Sequence, residues 1–291
     1  MIQDNDRLHR FIIENTNVRG ETVHLNATWQ AILERADYPD NVKRILGEAL
    51  AACALLAATI KFDGSLILQI RGNGPLHLLV VQTTSTGAMR GIARWNDEVP
   101  DHGLPNIFGD GQMVMTIEPN KGEPYQGIIA LQGEHLNDAI EAYFQQSEQL
   151  NTKLWLACDN EACGGFLIQE LPGKETDDED SWQRTVHLSS TLTDDELLHV
   201  PTQELLHRLF HEDDVRLFEA QPMCFRCSCS KERISSVLLS LGSDEVHDIL
   251  QEQRRIEVDC EFCNAHYEFD SVDIDALFAD VPPVSHSETR H

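Results

Sequence analysis

The chain is poor in positive charge. Its 291 residues carry 22 Lys and Arg against 49 Asp and Glu, a formal net charge of −27. Affinity for phosphate backbones comes from clustered Lys and Arg, so this balance excludes a general nucleic-acid binder. The same shortage argues against docking on anionic lipid, and no membrane partner is expected. Long hydrophobic runs are also missing. The longest nearly apolar stretch, residues 49–60, is bounded by Glu48 and Lys61. It is too short to span a bilayer and suits a buried helix. The N-terminus has acids where a secretory signal has a basic segment followed by an apolar one, so a cytoplasmic protein is expected. Signatures of nucleotide and hydrolase chemistry are absent as well. Gly173-Lys174 lacks the glycine spacing and the following Ser or Thr of a phosphate loop. Gly72-Asn73-Gly74 has no third glycine at the needed offset, and there is no Gly-x-Ser-x-Gly elbow.

What is present can build a core: 41% of residues are hydrophobic and 24% charged. The length suits two domains or three modules. The patterning predicts an α+β fold with a large N-terminal α+β domain over residues 1–173, an acidic helical linker over 174–222, and a small C-terminal four-cysteine zinc domain over 223–291. Helical spacing covers residues 8–14, 28–35, 40–61 and 136–144, the third entered after Pro39. Short β-like runs occupy 66–70, 76–81, 89–95, 113–117 and 127–131, separated by turn signals such as Asp63-Gly64, Asn73-Gly74-Pro75 and Asp110-Gly111. Residues 154–157 and 165–169 suit a closing hairpin.

From Lys174 to Glu219 there are 13 acids against 4 bases. Residues 175–181 read as a solvated linker. Thr193 and Glu196 fit a capping box ahead of Leu197 and Leu198, and Pro201 opens a second helix with Leu205, Leu206, Leu209 and Phe210 on one side. Such short helices need a surface to pack on. The residues leave two readings of the linker open: an ordinary interdomain connection with solvated charge, or a bistable element that covers an apolar face when folded and exposes it when loosened, while the net charge opposes self-aggregation.

The final segment is too small for a large core, so a staple is expected. It holds five of the eight cysteines. In a cytosolic chain these are thiols, metal ligands or redox groups sooner than structural disulfides. Cys227-Ser-Cys229 is followed, thirty residues on, by Cys260-Glu-Phe-Cys263. Two thiolate pairs on tight turns can present four sulfurs to one tetrahedral zinc. Between them, residues 231–241 and 244–253 read as helices broken at Gly242, with Ser243 as N-cap. Residues 256–259 and 266–270 read as strands flanking the second pair. A closed set of four sulfurs leaves no position for water, which disfavours hydrolysis, and no catalytic residues are assigned. The Cys-x-Cys half can share a metal or close a small strained disulfide ring of the labile, regulatory kind. Spacing alone leaves an inert zinc staple and an oxidant-sensitive switch both open. Cys224 also forms a Cys-x-x-Cys with Cys227 and competes as a ligand or for disulfide shuffling.

The stretch Phe225-Arg-Cys227-Ser-Cys229-Ser, together with Cys260-Glu-Phe-Cys263-Asn-Ala-His-Tyr267, resembles the bacterial 33 kDa chaperonin family, the redox-regulated holdase chaperones. Further matching stretches are Arg19-Gly20-Glu21, Lys61-Phe62-Asp63-Gly64, residues 89–94 (Met-Arg-Gly-Ile-Ala-Arg), and Tyr125-Gln126-Gly127. The resemblance spans essentially the whole chain. It implies an ATP-independent, non-enzymatic chaperone of the stress response, quiescent when reduced and holding one zinc through Cys227, Cys229, Cys260 and Cys263. On oxidation, the resemblance implies, zinc leaves and redox-active disulfides form, Cys227 with Cys229 and Cys260 with Cys263. The oxidised form then tends to a homodimer and holds unfolded or partly folded clients. A competing function is a thiol-disulfide oxidoreductase using Cys260-x-x-Cys263 or Cys224-x-x-Cys227; neither opens a helix after a strand in a βαβ context.

Other candidates have plainer readings. His207 and His211 lie four apart, but no Glu follows the first His as in a metalloprotease helix, so a solvated face is expected. Cys158 and Cys163, five apart in a hairpin, could pair or report on oxidant but are read first as unpaired packing or surface thiols, and Cys53 as a small core residue. His266, beside the second cysteine pair, is a candidate to support a ligand from outside the metal's own shell.

Overall fold

In the computed structural model, which describes residues 5–96, 98–172 and 180–279, the chain opens with a strand where residues 8–14 were expected to be helical. Strand β1 (Arg7–Ile13) pairs antiparallel with β2 (Val18–Leu25). Apolar residues at positions 8, 11, 12 and 13 imitate a helical stripe, yet β1 is covered on both faces. Leu8 joins one core while Phe11 and Ile13 join another, so strand alternation is lost from the sequence. Next come α1 (Ala27–Leu33) and α2 (Asp40–Thr59). Helix α2 is buried nearly all round from Ile45 to Ala57, as an apolar helix without a polar face must be. Strands β3 (Gly64–Arg71), β4 (Leu76–Thr84) and β5 (Ala88–Trp95) follow, then α3 (Leu104–Phe108), β6 (Gln112–Pro119), β7 (Tyr125–Ala130) and α4 (Leu136–Tyr143). After a π turn over Phe144–Glu148, β8 (Thr152–Cys158) and β9 (Cys163–Glu170) form the expected hairpin.

The next stretch holds α5 (Ser181–Ser189), α6 (Asp194–His199), α7 (Thr202–Phe210) and the short strands β10 (Val215–Leu217), β11 (Gln221–Pro222) and β12 (Cys224–Phe225). The solvated segment expected at 175–181 lies mostly outside the described residues. The capping box is formed: Thr193 Oγ1 accepts from the Glu196 amide at 3.3 Å, and Glu196 Oε2 accepts from the Thr193 amide at 3.3 Å. The last part of the chain adds α8 (Lys231–Leu241), α9 (Ser243–Gln253), β13 (Ile256–Asp259), β14 (His266–Phe269) and α10 (Ser271–Ala279).

The chain divides into two compact units, Met1–Arg226 and Cys227–His291. In the first, one sheet runs β10-β1-β2-β9-β8 with β11 also on β1, and a second runs β12-β5-β4-β3-β6-β7. Helix α2 packs on strands of both sheets, and its side chains make the main core with Trp29, Leu68, Leu79, Ile129 and Leu167. The far face of the first sheet carries a separate core, in which Phe11, Phe166 and Ile168 meet Leu197, Leu205, Leu206, Leu209 and Phe210 of α6 and α7. The apolar stripe read from the acidic segment is thus docked on a sheet. In the second unit Leu238, Val246, Leu250, Ile256, Phe269 and Ile274 form a small core of their own. Gly242, at φ +95°, separates α8 from α9 and is itself the N-cap of α9. Ser243, expected as that cap, is the first helical residue, since a positive φ at 242 lets glycine turn the chain one position earlier.

Candidate metal centre

Each cysteine pair is placed by a local device. Cys227 and Cys229 stand just ahead of α8, whose N-cap is Ser230; its hydroxyl accepts from the Arg233 amide at 3.3 Å. Cys260 and Cys263 sit in the turn of the β13–β14 hairpin, registered Ile256 to Phe269 and Asp259 to His266. The Cys260 amide donates to Ala265 O at 2.9 Å, and the amides of Cys263 and Asn264 donate to Cys260 O at 3.2 and 2.7 Å. Asn264 closes this knuckle at φ +58°, a left-handed conformation that asparagine tolerates better than most residues.

The two turns bring four sulfurs together. Cys227 Sγ lies 3.6 Å from Cys260 Sγ and Cys229 Sγ lies 3.3 Å from Cys263 Sγ. All four Sγ atoms lie within 4.8 Å of one another. Thiolates bound to zinc at the usual 2.3 Å and at tetrahedral angles stand about 3.8 Å apart, so the donor set fits a tetrahedral ion in both number and spacing. The cluster can hold a metal ion. Burial pushes the Cys260 thiol up against the pull of backbone amides, and burial with neighbouring sulfurs pushes Cys263 up to about 12.

Tyr267 was not singled out from sequence. Its hydroxyl donates to Cys229 Sγ at 3.1 Å, and that bond is the first cause raising its own hydroxyl to about 12. The signal that marks it is register: Tyr267 pairs with Val258, two residues before Cys260, on the strand leaving the knuckle. His266, the expected supporting residue, instead makes an exposed bond from Nδ1 to Asp259 Oδ1 at 2.8 Å. Asp259 holds its imidazole above the ordinary value.

The remaining sequence candidates fall elsewhere. Cys224 is not in the four-sulfur cluster; its backbone pairs with Ala88 in the β12–β5 ladder. His207 and His211 lie edge to face with ring centroids 6.4 Å apart, both exposed, and belong to no metal-ligating cluster among the described residues. Cys53 is fully buried on α2, and burial pushes its thiol up to about 12. Cys158 and Cys163 are free thiols of the β8–β9 hairpin, as their spacing suggested, one half-buried and one buried, and the hairpin brings their sulfurs to 2.9 Å. No helix of the described residues is long and apolar enough to cross a membrane.

Comparison with known proteins places this arrangement. A family model described as Hsp33 protein matches residues 6–270. A relative from Nitrosococcus oceani, named 33 kDa chaperonin, is 48% identical over 290 residues, covering 100% of both chains. Proteins of the same name from Pseudomonas savastanoi and Methylobacillus flagellatus are 46% and 43% identical, each covering 100% of this chain and 99% and 100% of their own. The crystal structure of a 33 kDa chaperonin from Thermotoga maritima superposes with a TM-score of 0.81 at 22% identity, over 94% of this chain and 98% of that one, and so shares the fold. The chain that gathers these four thiols therefore belongs to the Hsp33 protein family.

Proposed function

We propose that this protein is a redox-regulated, ATP-independent holdase, a binding protein of the cytoplasm and not an enzyme, that captures unfolding proteins under oxidative stress. Family membership supports the chaperone role. The observation that carries the regulatory part is the gathering of four thiols, from two cysteine pairs distant in sequence, into one cluster with tetrahedral spacing. Zinc, when bound, keeps the four sulfurs deprotonated and adds its binding energy to the folding of a small unit. With peroxide as electron acceptor, Cys227 and Cys229, and likewise Cys260 and Cys263, each lose one electron per thiolate and close a disulfide, while solvent supplies two protons to each peroxide reduced. Each pair consumes one peroxide and yields two waters. The donors are then spent, and α8 and the β13–β14 knuckle lose their common anchor.

The buried face under α6 and α7 supplies what a holdase needs. Phe11 stacks on Phe166 at 5.5 Å between centroids and meets Phe210 at 6.2 Å. If these helices loosen, an aromatic sheet surface is uncovered, and exposed apolar patches bind other apolar chains. In this reading the oxidised form also pairs as a homodimer. An oxidoreductase is not favoured, because Cys260 and Cys263 lead from a strand into a hairpin turn, not into the helix start that lowers a thiol's pKa. The test is zinc release against peroxide dose, followed together with suppression of citrate synthase aggregation. Release and protection should rise together; equal protection by fully reduced, metal-loaded protein removes the redox control.

A further inference from the structure

Outside the four-sulfur cluster, the β8–β9 hairpin holds a second dithiol. Cys158 and Cys163 face each other in the ladder, and their sulfurs are 2.9 Å apart. The Asp159 amide donates to Ala162 O at 2.9 Å, which makes 159 and 162 a hydrogen-bonded pair. Such pairs alternate, so 158 and 163 form a non-hydrogen-bonded pair, where Cα atoms stand about 4.5 Å apart and side chains are closest. That spacing lies inside the range disulfides accept.

The surroundings are built around the two sulfurs. The turn is hydrogen-bonded from within and from α1: Asp159 Oδ1 accepts from the amides of Glu161 and Ala162, both at 2.7 Å, and Trp29 Nε1 donates to Asp159 O at 2.9 Å. Across the core, α2 presents a glycine to the pair. A Cβ on Gly47 would stand 2.1 Å from Cys158 Sγ and 2.5 Å from Cys163 Sγ, so only glycine leaves space for both. The two thiols also differ in access: Cys158 is half-buried, whereas Cys163 is fully buried. Burial keeps the Cys163 proton in place, reinforced by Cys158, Asp159 and Glu48.

We propose that Cys158 and Cys163 are a second oxidant-responsive site, a peroxide-sensing dithiol that closes a cross-strand disulfide independently of the metal centre. The partly accessible Cys158 sulfur attacks a peroxide oxygen. The S–O bond forms as the O–O bond breaks, and the hydroxide released takes the thiol proton to become water. The Cys163 sulfur then attacks Cys158 Sγ; the S–S bond forms, the S–O bond breaks, and hydroxide leaves as a second water with the Cys163 proton. The two thiols are oxidised by two electrons and one peroxide is reduced.

Both cysteines fall on one tryptic peptide, residues 154–174. The reduced, zinc-loaded full-length protein is exposed to hydrogen peroxide, alkylated with iodoacetamide under denaturing conditions, digested and weighed. The expected peptide carries no alkyl group, is lighter by two hydrogen atoms than its dithiol form, and gains two alkyl groups if reduced first. Two alkyl groups on this peptide, after exposure that has oxidised Cys227, Cys229, Cys260 and Cys263, overturn the proposal. So does sulfinic acid at Cys158 beside an alkylated Cys163. Gly47→Ala should lower disulfide yield at least severalfold by forcing the sulfurs apart. If that variant does not fold, Cys163→Ala serves: Cys158 should then stop at sulfenic acid and be captured by dimedone, and the absence of any adduct counts against the mechanism.

Discussion

Replacing Phe210 by alanine removes the side chain that locks α7 onto the far face of the first sheet. Phe210 is 2% exposed and packs beside Phe11, in a cluster completed by Phe166 and by Trp155, 5.9 Å from Phe166. Truncating a buried phenylalanine costs about 3–5 kcal/mol through lost burial and the cavity left behind. Native proteins open in local units well before they unfold globally. If the cost falls wholly on the docking of α5 to α7, about 4 kcal/mol raises the undocked population by roughly three orders of magnitude, at tenfold per 1.4 kcal/mol. Amide exchange in reduced, metal-loaded protein reads this directly. Residues 181–217 should exchange 100- to 1000-fold faster (roughly, from the same free energy), while α2 and the C-terminal unit keep wild-type protection. The variant should also suppress client aggregation without oxidant. Unchanged exchange in α7 of a folded variant, or loosening without any gain in protection, would refute the role given to this face.

Three further outcomes are expected. Cys263→Ser should lose metal by more than the 10- to 100-fold typical of an outer partner, and exchange protection across residues 231–279 should fall with it; full metal content would contradict the ligand assignment. Tyr267→Phe deletes only the hydroxyl that donates to Cys229 Sγ. Its metal affinity should drop about tenfold, read by chelator competition, with the fold intact. Buried Glu21 has its carboxyl raised from its ordinary 4.5 to about 7 by burial, against the pull of Arg19 and Arg10. The folded state therefore binds a proton the unfolded chain releases, so stability is full below pH 4.5 and declines as pH rises to about 7, by up to about 3 kcal/mol. Denaturant midpoints at pH 5 and pH 8 check this. Glu21→Gln should flatten the dependence and exceed the wild type at pH 8.

Glu21 also illustrates how the strand carrying it escaped the reading of the sequence. In β2, Arg19 and Glu21 interrupt the apolar pattern, yet both are drawn inward. Arg19 donates to Thr59 O and Arg10 to Ala58 O, each at 3.2 Å, satisfying carbonyls at the end of α2. A strand that carries ionic partners for a neighbouring helix looks like a loop until the helix is in place. Helix α5 and the short strands β10 to β12 were missed for a related reason: they are held by sheet edges and a packed face formed by residues far away in sequence.

The amino-acid order by itself determined whatever depends on near neighbours: the apolar α2, the alternating β3 and β4, the Thr193 capping box, and two close cysteine pairs whose spacing suits a metal. Those features are legible because their physics is settled within a turn of helix or a pair of strand residues. Tertiary structure decided what depends on distant partners. It turned residues 7–13 into a two-faced strand, brought Tyr267 to a sulfur, and set the hairpin register that aligns Cys158 with Cys163 over Gly47. No local pattern encodes which helix will lie across a given hairpin, and that packing is what creates the second thiol site.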